Sequence, residues 1–482
     1  MPDAVVVGSG PNGLAAALVL ARAGLDVEVL EAAPTAGGGA RTAELTMPGF
    51  LHDRGSAVHP MALASPFFAT VDLAGLGAEM LQPEVVYAHP LDGGRAALAV
   101  RDLASTAEGL GADGPAWSGL FGPLVERWRG VVALALGDMR SAPPDLAAAW
   151  RFGLAVLEQA GPARAVRSRG GEAQALLAGV AAHAAARPRG PGPAGVAVLL
   201  ATLAHAVGWP VPRGGSQTIS DALVRELVQR GGRLRVGTRV ERLEDLPPAR
   251  AVLLDVSPQG LLRIAGSRLP WTYAAWLRRY RYRAGAAPVH FALSAPVPWS
   301  AAGVGAAGTV HIGGPRDQVD AAERDVAAGR HAERPYVLVS QPSLVDPGRA
   351  PTGSHVLWTY AHVPLGSRVD VSEQVQAQVE RFAPGFGDTV LARTSVSAAE
   401  LERENANLVG GDVTGGAATP WQLLFRPVPR WDAYRTPVDG VYLCSAATSP
   451  GPGVHGMSGV HAARRVLRQR FGVRVGLDGS PR

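Results

Sequence analysis

The stretch "VVVGSGPNGLAAALVLARAGLDVEVLEA", residues 5–32, decides the fold. Residues 4–7 (AVVV) form a continuous apolar run, as a strand buried on both faces requires, and residues 14–23 (LAAALVLARA) are helix formers, so strand, glycine turn and helix follow in order. Gly8 permits a tight turn, Gly10 lets backbone approach a pyrophosphate, and Gly13 lets the helix pack closely on the strand. Pro11 and Asn12 open that helix, whose N-terminal N–H groups point at an anion. "LDVEVLE" (25–31) reads as the second strand and ends in Glu31, 18 residues beyond Gly13, where an acid accepts hydrogen bonds from a ribose and disfavours a 2′-phosphate. A dinucleotide site follows, and NADP is disfavoured in it.

The continuation separates the dinucleotides. After Glu31 and Ala32 comes a second glycine cluster, Gly37, Gly38 and Gly39, followed by Ala40, Arg41 and Thr42. It suits a ligand whose ribityl chain and pyrophosphate run back along the protein, as in FAD, and an NAD site does not need it. At the far end, "GVYLCSAATSPGPGVHGMSGVHAARRVLRQRF" (440–471) reads as a short buried strand, a loop of little side-chain bulk and a helix starting near Gly456 and Met457. Such a loop lets a planar ligand lie against backbone, with the positive helix end directed at it. Between these ends, residues 211–243 give a glycine turn, an amphipathic helix and a strand "RLRVGTRVERL", and residues 247–258 a further core strand.

At 482 residues the chain is too long for one simple core, and two interleaved lobes are expected. With 47% hydrophobic and 18% charged residues, 60 Gly and 39 Pro, it reads as a soluble, loop-rich globular protein. All 46 basic residues are Arg, so lysine Schiff bases, lysine general bases and Walker A lysines are excluded. The net charge of +5 reads as arginine-biased coding, with an anionic partner or membrane surface as the other account. A lone Cys444 cannot form an internal disulfide, a redox pair or a cysteine zinc site, and suggests a reducing compartment. Only "MPDA" precedes the first strand, so no cleaved signal peptide is expected. The longest apolar run, residues 195–209, is shorter than the roughly 20 residues of a bilayer span and reads as a buried or lipid-facing helix.

"GSGPNGLAAA", "ELTMPGFLHDRGSAVHPMALASPFF", "GWPVPRGGSQTISDAL", "PVPW", "GTVHIGGP", "DPGRAPTGSHVLWTYAHVP", "ERFAPGF", "ENANLVGGD" and "YLCSAATSPGPGVHGMSG" lie along nearly the whole chain. Through them the sequence resembles the phytoene desaturase and carotenoid isomerase group within the amine oxidase superfamily. More closely it resembles the branch of pyridine nucleotide-disulfide oxidoreductase domain-containing protein 2. The resemblance implies an α/β fold, a Rossmann-like FAD-binding lobe of the GR2 type interleaved with a mixed α+β substrate-binding lobe. Residues 1–80, 210–266 and 425–482 would form the first, and 81–209 and 267–424 the second. It places backbone near Val240 against the adenine, and adds Ser445, Gly453, Val454, His455 and Met457 to the FAD contacts. It puts His59, Tyr360 and His362 near the reacting ring as candidate catalytic residues. Two departures stand out. The resemblance would place a Lys and an Asp shortly before "PVPW", where this chain has Pro288 and His290, and disulfide reduction needs a cysteine pair that is not here.

The expected activity is hydride transfer between a hydrophobic, unsaturated substrate and flavin N5, which needs positioning and a dry pocket more than an acid or base. Oxygen, a quinone or a transiently docked nicotinamide would exchange electrons. An amine oxidase is the alternative enzyme, and a prenyl carrier or scaffold without flavin is the alternative from another class. The Ala/Leu/Val helices of the second lobe would line an apolar tunnel or simply pack as core. "RPRGPGPAG" (187–195) reads as a flexible connection. "WLRRYRYR" (276–283) reads as a solvated helix face or a contact with lipid headgroups rather than a nucleic-acid site. Twelve His without HExxH or HxH spacing predict no metal. The location expected is cytoplasmic, with peripheral membrane contact left open.

Overall fold

The computed structural model describes residues 1–138, 140–161 and 171–480. A five-stranded sheet is built from five separated pieces of chain, in the spatial order Val441–Leu443, Ala251–Leu254, Ala4–Val7, Val27–Leu30, Arg233–Arg235. Every neighbouring pair runs parallel. Ala4–Val7 is buried along its whole length because helices cover both faces, which is why it reads as an uninterrupted apolar run.

The helix Pro11–Arg22 is apolar almost all round, with residues 12–21 buried. It packs on the helix Met457–Val466, where Gly459 comes so near that a Cβ there would fall 1.9 Å from the Asn12 carbonyl. Leu14, Leu18, Val19 and Leu20 are fully buried, each stabilising the fold by about 1.5–3 kcal/mol.

A second, seven-stranded mixed sheet runs Val390–Ser395, Ala284–Leu293, His355–Pro364, Val337–Ser340, Ala307–Ile312, Val85–Leu91, Arg95–Val100. One face packs Val289, Phe291, Leu357 and Ala361 with Val375 and Val379 of the helix Ser372–Phe382. The helices Gly171–Ala182 and Pro191–Ala206 cover Val86, Tyr87 and Trp209.

Three readings of the sequence need correction. The strand expected over 233–243 stops at Arg235, because Gly237 turns left-handed (φ +64°) and its N–H is drawn off to the Ala33 carbonyl. The connection expected over 187–195 already contains the first turn of the helix Pro191–Ala206, since a proline there gives up no needed hydrogen bond. The helix Trp271–Arg278 exposes Trp276 and Arg278, yet Tyr280 turns inward and donates to the Gly415 carbonyl at 2.6 Å. The helices Gly171–Ala182 and Pro191–Ala206 bury their apolar residues as packed core, whereas the helix Leu146–Ala160 leaves Leu146, Trp150, Leu154 and Leu157 exposed. Among the described residues no helix is long and apolar enough to cross a membrane.

Candidate functional site

The glycine turn is shaped by what a side chain would strike. Gly8 has φ +97°, and a Cβ there would lie 2.9 Å from the Asp255 carbonyl. A Cβ on Gly13 would lie 2.1 Å from the Gly8 carbonyl, so helix and strand meet only without it. Gly10 caps the helix with backbone alone, Pro11 occupies the first turn, no acid follows in that turn, and the Asp255 carboxyl accepts from Gly13 N at the positive end. The Asn12 Oδ1 is buried there with no partner among the described residues.

Glu31 ends the second strand and folds over the turn. Its Oε2 accepts from Ser9 N (2.9 Å) and Ser9 Oγ (2.6 Å), and its Oε1 from Ala33 N (2.7 Å), while Ala32 beside it is exposed. The second glycine cluster closes on the first: Gly37 N donates to the Ser9 carbonyl (3.0 Å), and a Cβ on Gly38 would lie 3.0 Å from Gly10 Cα. A Cβ on Gly55 would fall 2.3 Å from the Gly39 carbonyl. Ala40 is buried, its carbonyl held by Ser220 Oγ, and Arg41 Nε reaches the Gly38 carbonyl. Burial, and then the neighbouring Arg54, lower the Arg41 pKa from its ordinary value. Val240 packs with Val5, Val7 and Leu30 beneath this edge.

The C-terminal loop completes the arrangement. Ser445 begins a turn whose carbonyl accepts from Thr448 N and Oγ. Gly453 (φ +125°) approaches Met61, with a Cβ position 2.8 Å from its sulfur, and Val454 packs against the core of the parallel sheet. His455 is buried with both ring nitrogens engaged: Nδ1 accepts from Met457 N at 3.0 Å, which leaves Nε2–H to donate to the Gly451 carbonyl at 3.1 Å. It fixes the loop and caps the helix Met457–Val466.

The three candidate catalytic residues fall in different surroundings. His59 is buried; Ser216 Oγ donates to the Ser56 carbonyl and therefore accepts from His59 Nε2 (2.7 Å), leaving Nδ1 bare. Burial lowers its pKa to about 4, so the ring is neutral. Tyr360 packs against the cluster that holds Ala57 and Trp358, beside Val58. His362 donates from Nδ1 to Glu323 Oε1 (2.7 Å), and its Nε2 has no partner among the described residues. The rings of Tyr360 and His362 lie 5.5 Å apart.

Several buried polar contacts were not legible in the sequence. Glu323 lies on an amphipathic helix, Arg316–Ala327, that carries no motif. His183 and His311 meet at 2.9 Å with their charged forms disfavoured by burial, although nothing in their spacing groups them. Arg349 and Asp53 form a fully buried ion pair, with Asp53 also accepting from Ser216 N and Thr42 Oγ1. Asp255 had a usable signal, since it ends a parallel strand, where ligands of such sheets sit. Its Oδ2 accepts from Gly13 N at 2.9 Å and lies 2.7 Å from the position a Gly10 Cβ would take. Burial, helped by Glu31 and opposed by the Gly13 hydrogen bond, pushes its pKa up to about 7. Among the described residues no three His, Cys, Asp or Glu side chains are grouped to hold a metal ion.

This geometry, a glycine turn at the carboxyl edge of a parallel sheet with an acid ending the next strand, is that of a dinucleotide-binding half. Residues 6–69 match the model of the NAD(P)-binding Rossmann-like domain family. The chain has the fold of oxidoreductases. It is similar to a Methanosarcina mazei oxidoreductase (TM-score 0.62, 16% identity, 97% of this chain and 100% of that one). It is likewise similar to a putrescine oxidase triple mutant (TM-score 0.60, 18%, 98% and 99%). Among curated proteins it is 27% identical to the mouse "Pyridine nucleotide-disulfide oxidoreductase domain-containing protein 2", over 97% of this chain and 93% of that protein. It is 25% identical to the Rhodobacter capsulatus phytoene desaturase (neurosporene-forming), over 54% of each.

Proposed function

We propose that this protein is an FAD-dependent oxidoreductase acting on a hydrophobic, unsaturated small molecule. The observation that carries the reading is the second glycine cluster folded onto the first, Gly38 against Gly10, with Glu31 between them and the ribose edge. One glycine turn suffices for NAD; two opposed ones form a channel for a ligand continuing past its pyrophosphate. Gly8–Gly13, Gly37–Gly39 and Arg41 would hold the pyrophosphate, Glu31 the ribose, and Ser445–Met457 the ring end. When bound, FAD supplies a two-electron centre at N5. The chain's own residues would bind and orient: the helix end at Met457 would offer partial positive charge, and neutral His59 and the Tyr360 side chain would stand beside residues 57–58 without moving a proton.

The electron acceptor in this proposal is oxygen, a quinone or a transient nicotinamide. Peripheral membrane contact is favoured by the helix Leu146–Ala160, whose Leu146, Trp150, Leu154 and Leu157 form one exposed stripe while Ala148 and Ala155 face inward. An amine oxidase is the second reading, favoured by the putrescine oxidase likeness. The test is the visible spectrum of purified protein with and without added FAD, then anaerobic reduction. Flavin bands that bleach support the proposal, and polyene against amine turnover separates the two enzyme readings. A colourless protein that refuses FAD sinks both and favours a carrier.

A further inference from the structure

The chain has three buried arginines among its described residues, and two of them have acids. Arg349 is paired with Asp53, and Arg465 with Asp138 and Asp432. Arg426, only 3% exposed, has no carboxylate within 4.0 Å among the described residues. Its Nε and Nη2 donate to Tyr280 Oη (3.2 and 3.1 Å), and Nη2 also donates to the carbonyls of Gly415 (2.7 Å) and Thr414 (3.4 Å). These bonds come from Nε and Nη2 alone and end on neutral oxygens, an arrangement a buried cation tolerates poorly.

Its remaining nitrogen says where the missing charge belongs. Nη1 lies 2.6 Å from the Cβ position of Gly451 (φ +121°), in the glycine loop that leads to the helix Met457–Val466. The nearby acid, Asp412, makes no ion pair with it within 4.0 Å: its Oδ1 is tied to Thr414 N and Oγ1, its Oδ2 is buried without a partner among the described residues, and burial raises its pKa. Tyr282 packs its ring against Tyr280 at 5.4 Å.

We infer that Arg426 holds an oxyanion against the Gly451–Gly456 loop, either a carboxylate of the substrate or the pyrimidine edge of the reduced cofactor. This rests on the FAD reading. It gives a substrate class the fold alone does not: an apolar molecule bearing an acid group, unless the charge is supplied by the flavin itself. Among the described residues no carboxylate lies within 4.0 Å of this guanidinium, and replacing it by lysine would lose the planar fork that spans Tyr280 and Gly415.

FAD-loaded wild-type, Arg426→Gln and Arg426→Lys proteins would be titrated with sulfite, which adds to flavins and leaves negative charge on the ring, and separately with benzoate, both followed by flavin absorbance. Arg426→Gln is expected to weaken one of the two by about tenfold or more, with Arg426→Lys intermediate. Loss confined to sulfite identifies the flavin as the anion; loss confined to benzoate identifies a substrate carboxylate. If Arg426→Gln does not fold, the Arg426→Lys protein carries the same comparison. Variants that bind FAD and match wild type in both titrations overturn the inference and leave the FAD reading standing, whereas a wild type that takes up no FAD removes both.

Discussion

Replacing Asp255 by Asn should make the fold's stability less dependent on pH, and the structure sets the size of the effect. The carboxyl is buried against Gly13 N and moves from an ordinary 3.8 to about 7. The folded state therefore keeps a proton, between those two values, that the unfolded chain has released. Stability from this group is complete below 3.8 and is lost as pH rises through about 7. The slope is about 1.4 kcal/mol per pH unit, so wild type should lose roughly 3 kcal/mol relative to Asp255→Asn between pH 5 and pH 7, and little beyond. Asparagine keeps an acceptor for Gly13 N–H while removing the titration. Urea midpoints of FAD-free protein at several pH values would show the difference curve rising and then flattening. Parallel curves for the two proteins would refute the argument. The same substitution should tighten FAD binding above neutral pH, because an ionised Asp255 lies where a pyrophosphate must approach Gly10.

Other expectations follow from the same structure. Arg349→Met leaves Asp53 buried without its partner and should cost about 3–5 kcal/mol in chemical denaturation, with Asp53→Asn recovering part of the loss in the double variant. Glu31→Ala frees Ser9 and removes the ribose acceptor; FAD titration should show a loss of about tenfold or more, and an unchanged affinity would count against the assigned role. Cys444 is buried and its pKa is raised well above 9.0, by burial first and by Asp255 second, so a thiol reagent should label unfolded but not native protein. Trp150→Asp with Leu157→Asp should abolish flotation with anionic vesicles while leaving the melting temperature nearly unchanged, since both side chains are more than half exposed.

The nucleotide half was readable because its constraints are local. A strand buried on both faces must be apolar throughout, a turn that meets an anion must be glycine, and an acid must end the next strand; residues 4–31 satisfy all three within one continuous stretch. The glycine cluster at 37–39 was equally legible, though only the fold shows why Gly38, against Gly10, and Gly37, against the Ala40 carbonyl, are glycine. The resemblance extended this reading to the distant loop at 445–457, which local pattern describes only as a strand, a loop and a helix.

Tertiary structure decided the rest, because charge and burial are properties of neighbours rather than of residues. His362 and Glu323 are 39 positions apart and carry no shared motif, yet packing joins them at 2.7 Å. His455 looked like a ligand for the ring, and the fold uses both its nitrogens to hold a loop and cap a helix. Among 46 arginines nothing in the sequence sets Arg426 apart; it differs because the chain buries it beside Gly451 with no carboxylate within 4.0 Å among the described residues. Sequence by itself determined that a dinucleotide could be bound and on what backbone. Which side chains surround it, and in which charge state, was settled by long-range packing that removes water from some polar groups and supplies partners to others.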